Sequence, residues 1–251
     1  MTRSHASTGA RLAAGSRAVR TLAAAEARLI HRNKLVLVTA LLLPLGIGVL
    51  IASDGEAGRW GEVVAMQLTM MLLFCVYATA TTSLAARRRQ LVLKRLRSGE
   101  LSDAEILTGL LAPLFALAAV QALVLLACAV ALGAPWPERP LALVAALGFG
   151  SLMAAGAALA TAAFTASAEL AQVTVTPFFF AAVAGAAWAL SAEAGAVTPL
   201  MQATPGGALA DLVRQGWEAG GTPWPAIAAL AAWTTAGAAV AKRCFRWEPR
   251  R

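Results

Sequence analysis

The chain has 251 residues, 59% of them hydrophobic and only 14% charged, with a formal net charge of +8. Soluble domains carry about 25% charged residues, and here the apolar residues gather in six blocks free of charge clusters, which excludes a soluble globular protein. The cations lie between and outside those blocks, so membrane topology explains them better than a nucleic-acid-binding face.

Residues 1–9 are small and polar and read as a tail, not as a cleaved leader, because the N-terminal cations are spread over more than thirty residues and no compact apolar stretch follows early enough. Residues 10–33 have helical periodicity. Leu12, Val19, Leu22, Leu29 and Ile30 share one side, and Arg17, Arg20, Arg28 and Arg32 share the other. A basic amphipathic helix ahead of a span is expected to lie along the membrane surface, and 1–34 forms a cytoplasmic unit. The first span is expected at about 35–52, with Pro44 near its middle, and the second at 63–86.

The stretch 87–105 is too charged for hydrocarbon. It runs from Arg87, Arg88 and Arg89 through Lys94, Arg95 and Arg97 to Glu105. Gly99 is expected to end the helix leaving the second span. Ser102 and Glu105 form a capping-box pattern that starts the next helix. A third span follows at 106–132, a fourth at 141–168, a tight turn around Glu169, and a fifth at 170–192. Residues 193–222 are too polar for a full span, yet Leu209, Leu212, Val213 and Trp217 keep helical spacing, so short helices dipping into the outer leaflet are expected. Within them Asp211 and Arg214 stand at i, i+3 and can pair. The sixth span is expected at 223–241, before a basic tail, 242–251.

The fold expected is therefore all-α and polytopic, with six spans in one transmembrane domain over 35–241. Segments 1–34, 87–105 and 242–251 hold 18 of the 21 Lys and Arg. By the positive-inside bias, both termini and the 87–105 loop are cytoplasmic. Cys75, Cys128 and Cys244 make no paired spacing and read as small buried side chains. His5 and His31 stand in no ligand cluster, so no metal site is expected. None of the three lysines follows a glycine, so the chain has no Walker A motif and cannot bind ATP through one. No acidic residue stands mid-span, against an ion-coupled secondary transporter. A structural membrane subunit remains the alternative on composition alone.

Four places resemble the type-2 ABC exporter permeases, six-span subunits of drug, polysaccharide and lipid exporters that include the anthracycline exporters. Ala27-Arg28-Leu29-Ile30-His31-Arg32-Asn33-Lys34, running into a span with Pro44, is similar to the family's entry segment. The loop Leu93, Lys94, Arg95, Leu96, Arg97, then Leu101, Ser102 and Glu105, is similar to its most specific motif. Ala171-Gln172 with Pro177 and Gly185 resembles its fifth span, and Pro205, Asp211 and Arg214 resemble its pattern after the re-entrant helices. The family's acidic residue before the loop is replaced here by Arg87 to Arg89.

The resemblance implies a permease in a bacterial plasma membrane. It implies pairing with a second permease, the same or a different one, over two copies of a separate ATPase. The partner ATPase would bind ATP and Mg²⁺, and this chain would hold no cofactor. The loop residues would contact that ATPase. Pro205, Asp211 and Arg214 would serve structure or an outer gate. A path between Ala-, Gly-, Thr- and Phe-bearing helices, with Phe178, Phe179 and Phe180 together, suggests an apolar or amphipathic cargo.

Overall fold

The computed structural model of the chain describes residues 19–25, 28, 59–92, 96, 102–193, 195–218 and 220–245. The expected span at 35–52 lies outside the described residues, as do Leu93, Lys94, Arg95, Arg97 and Leu101.

Every described regular element is helical. Helix α1 covers 19–25. Helix α2 (Trp60–Leu72) passes through a π-helical turn, Leu73–Ala78, into α3 (Thr79–Arg89). Then come α4 (Asp103–Ala131), α5 (Pro140–Phe164), α6 (Ala168–Thr174) and α7 (Thr176–Leu190). Two shorter helices, α8 (Pro199–Gln202) and α9 (Pro205–Glu218), precede α10 (Trp224–Cys244). Among the described residues, five stretches are long and apolar enough to cross a membrane: Trp60–Arg89, Asp103–Ala131, Pro140–Phe164, Ala168–Leu190 and Trp224–Cys244. The 29 residues of α4 reach about 43 Å at 1.5 Å per residue, more than the roughly 30 Å of a bilayer core.

Local chemistry sets the helix ends. Ser102 accepts from the Glu105 amide at 3.3 Å, and Glu105 Oε2 accepts from the Ser102 amide at 2.8 Å. This reciprocal capping box satisfies two of the free donors that open α4. At the other end of α4, Gly133 sits at φ 98°, a left-handed turn that glycine adopts without steric penalty. The turn between the fourth and fifth spans falls at 165–167 rather than around Glu169, because Ser167 caps α6 and leaves Glu169 inside its first turn. The helix leaving the second span does not continue to Gly99. It stops at Arg89, and Leu91 takes φ 60° before the chain turns helical again at Val92. A leucine in that conformation costs roughly 1–2 kcal/mol.

The bundle has a basic end, with Arg88, Lys242 and Arg243, and an opposite end rich in tryptophan. Helices α5 and α10 form the closest pair. Their contact is made by glycine: a Cβ on Gly156 would meet the Thr234 backbone at 3.0 Å, and one on Gly237 would meet Gly156 at 2.5 Å. Small residues permit this approach, and dispersion replaces the hydrophobic drive that lipid does not supply. Helix α9 is no surface feature. Every residue from Pro205 to Trp217 is buried, and the helix packs on α7, α2, α5 and α10. Its start lies so close to α7 that a Cβ on Gly206 would strike the Ala182 carbonyl oxygen.

Candidate functional site

The basic end brings together the root of the 87–105 loop and the tails of three spans. The sequence presents Arg87, Arg88 and Arg89 as one cationic run, but the structure gives them three different environments. Arg87 Nε donates to the Ser83 hydroxyl one turn back, at 3.0 Å. Arg89 pairs with Glu169 at 3.2 Å, with both side chains exposed, and is held weakly, as surface pairs are. Arg88 is 1% exposed. Its guanidinium donates to the Ala162 carbonyl at 3.0 Å and to the Thr165 carbonyl, and it lies over the Phe245 ring at 6.0 Å.

Those two acceptors are at the C-terminal end of α5, where carbonyls lack helical partners and the dipole is negative. Arg88 therefore staples the end of α3 to the ends of α5 and α10. Nothing in the spacing of a three-arginine run marks which one turns inward.

Beside it, Leu84, Ile106, Leu110 and Ala162 form a buried apolar cluster. Leu22 of α1, Leu96 of the loop, Leu107, Leu159 and Phe245 pack around this cluster. A Cβ on Gly109 would lie 2.7 Å from the Leu22 side chain, so the glycine makes the seat for α1. Leu96 is thus half-buried against its own bundle rather than wholly presented outward. Ser102 and Glu105, also named from the sequence, are spent on the capping box.

At the opposite end, Pro205 opens α9 and is buried. Asp211 and Arg214 are 1% and 2% exposed. Their mutual approach is long, 3.9 Å, and each has closer partners. Asp211 Oδ2 accepts from the Gln202 amide at 2.8 Å and the Gln215 amide at 2.7 Å. Arg214 donates to the Ala192 carbonyl at 2.7 Å and the Ala189 carbonyl at 3.3 Å, closing the end of α7. Burial pushes the Asp211 carboxyl above its ordinary value, while Gln202, Arg214 and Gln215 hold it back. The pair expected at i, i+3 does form, at 3.9 Å, and each partner is also a clamp through its closer bonds. Asp211 ties α8 to α9, and Arg214 ties α9 to α7. Arg88 and Arg214, the two buried arginines among the described residues, do the same job at opposite ends: each closes the C-terminus of a helix.

Between the ends, the π-helical turn of the second span faces the break in the fifth. Tyr77 contacts the Thr161 hydroxyl at 3.1 Å and donates to the Val175 carbonyl at 3.2 Å, where α6 gives way to α7. Phe74 lies 4.9 Å from Phe179, and Tyr77 lies 4.9 Å from Phe178. Phe74 and Phe180 remain 41% and 63% exposed, so this aromatic strip presents open apolar surface. Irregular helix is costly in lipid unless side chains help to satisfy the backbone, and here the Thr79 hydroxyl donates to the Phe74 carbonyl of the π-helical turn at 2.9 Å.

A family model described as ABC-2 type transporter matches residues 17–189. No curated protein and no solved structure gives a significant match. The matched region takes in the loop root, the capping box, the π-helical turn and the broken fifth span. With well over half of its length matched and no ATP-binding motif of its own, the chain belongs to the ABC-2 type transporter family and is the permease component of an ABC transporter.

Proposed function

We propose that this permease exports a hydrophobic or amphipathic compound, of the kind that drugs, antibiotics, lipid-like molecules or peptides represent, across a bacterial plasma membrane. ABC-2 permeases generally work with an ABC ATPase subunit. Here two copies of that ATPase bind beneath a pair of permeases, hold ATP and Mg²⁺, and close on each other to drive the cycle. Residues 35–52 supply a sixth span, both termini are cytoplasmic, and α8 and α9 re-enter from the outer side. The loop 87–105 seats in the ATPase through Leu93, Lys94, Arg95, Leu96, Arg97 and Leu101, together with the N-terminal helix. Pro205, Asp211 and Arg214 keep the outer end closed. The aromatic strip around Phe74, Phe179 and Phe180 offers the cargo an apolar surface.

The observation that carries this reading is the way the loop is rooted. Arg88 at one end of it grips α5 and lies over Phe245, the capping box at the other end starts α4, and Leu96 packs on the cluster shared with α1. A force on the loop therefore reaches at least three spans directly, as energetic coupling through packed elements requires. Its basic side chains would steer an acidic partner surface and set specificity more than affinity.

The test is co-purification of the ATPase with a permease carrying Lys94→Glu, Arg95→Glu and Arg97→Glu. The permease should remain inserted and paired while ATPase recovery and cargo-stimulated hydrolysis fall away. Leu96→Asp should do the same, but with a loss of stability as well, because Leu96 also packs inward. Normal ATPase recovery with the triple charge reversal, at wild-type insertion, would sink the docking assignment.

A further inference from the structure

Helices α4 and α10 pack on α5 but scarcely on each other. The Gly156 and Gly237 contact draws α10 tight against α5, and among the described residues no side chain fills the angle under α4. The result is a crevice of about 270 Å³, walled by Leu107, Leu111 and Phe115 of α4, Leu152 and Leu159 of α5, and Ala238 of α10. From Leu107 to Phe115 it follows the helices for about 12 Å at the α-helical rise. It is narrow, apolar, and begins about one turn inside the basic end.

Its mouth has a defined charge. On α10 the crevice residues Thr234 and Ala238 are followed at the same helical spacing by Lys242, so this lysine stands on the crevice face at the basic end. Arg243 is next to it, and both are exposed. The acids opening α4 at the same end are engaged elsewhere: Glu105 in the capping box, and Asp103 with a partner of its own.

We propose that this crevice is a phospholipid site. One acyl chain of an anionic glycerophospholipid lies between α4, α5 and α10, and its phosphate rests on Lys242 and Arg243. The chemistry fits on two counts. An apolar slot open to the bilayer takes hydrocarbon rather than water. Long cationic side chains in the last turn reach the headgroup level while their stems cover the apolar wall. A lipid held there would fill the gap that α4 and α10 do not close themselves, and so brace the α5 and α10 pair. This site lies apart from the aromatic strip offered to the cargo, and it shares Leu107 and Leu159 with the cluster on which Leu96 packs.

The experiment uses the full-length permease in nanodiscs, with phosphatidylglycerol or phosphatidylcholine carrying a photoreactive acyl chain. Cross-links should fall within 107–115 and 152–159 and be stronger for phosphatidylglycerol. Lys242→Gln and Arg243→Gln should each lower that labelling about fivefold, bringing it toward the phosphatidylcholine level. Ala238 is exposed on the crevice wall, so Ala238→Leu enters the slot rather than the core. It should abolish labelling by both probes with elution and melting unchanged, and Ala112→Leu should do the same from the α4 side. The proposal is overturned by equal labelling from the two headgroups, or by labelling that survives the filling variants in folded protein. Cross-links from residues 35–52 or from a second permease copy into the crevice overturn it as well.

Discussion

Gly237 lies so close to Gly156 that a Cβ built on it would come within 2.5 Å of the Gly156 carbonyl carbon. The obstacle is backbone, not a side-chain tip that can swing aside. Gly237→Ala must therefore push α10 off α5. Overpacking of this kind costs about 1–3 kcal/mol, and Gly237→Val should cost more. The thermal midpoint of the purified permease in detergent checks this. An unchanged midpoint for the valine variant would mean that the two helices do not pack as closely as described.

Arg88 and Arg89 are neighbours with opposite expected sensitivities. Arg88→Ala removes the donor shared by the Ala162 and Thr165 carbonyls. Ala162 keeps the Thr165 amide at 3.3 Å, so the loss is about 1–3 kcal/mol for the Thr165 carbonyl left without its donor. Arg88→Lys should not rescue it, because an ammonium lacks the planar fork that reaches two carbonyls and stacks on Phe245. Arg89→Gln breaks only the exposed pair with Glu169, worth about 0–1 kcal/mol. Yield and melting temperature of the three variants should rank accordingly, and an Arg88→Lys protein indistinguishable from wild type would refute the staple.

Asp211 holds the amides of Gln202 and Gln215 together. Asp211→Ala orphans both donors and should be severe, while Asp211→Asn keeps an acceptor oxygen and should be mild. The sign of the pH effect follows from burial. A carboxyl raised above its ordinary value is favoured protonated, so its contribution is full below the unfolded carboxylate range and is lost as pH rises through the raised value. Melting followed from acid to neutral pH should fall through that interval in the wild type and lose this component in Asp211→Asn. Identical pH profiles for the two proteins would count against a buried, titrating Asp211.

Leu91 is strained where glycine would not be. At φ 60° it ends the helix leaving the second span, and Leu91→Gly should relieve roughly 1 kcal/mol. The readout is a higher midpoint of unfolding with transport intact. A lower midpoint would show that the half-exposed leucine side chain contributes more than its backbone conformation costs.

Several features were legible before any fold was known. Bilayer insertion is a local test: a window of about 20 apolar residues either passes or fails, whatever its neighbours do. The long helices of the described bundle therefore announce themselves in composition. The capping box at Ser102 and Glu105 is also local, since its two partners are three residues apart. The absence of a nucleotide motif is likewise a property of adjacent letters.

Tertiary structure decided what periodicity cannot reach. Which of three consecutive arginines is buried depends on where the end of α5 falls, more than seventy residues away. That α9 is enclosed by protein, rather than resting in lipid, depends on how closely glycines let α7 approach. The π-helical turn at Leu73–Ala78 has no composition of its own, and only the fold shows its Tyr77 reaching the Val175 carbonyl of another helix. The crevice under α4 exists because α5 and α10 meet at two glycines and leave α4 outside. A chain specifies its spans residue by residue, but the direction each side chain faces is set by the helix that arrives beside it.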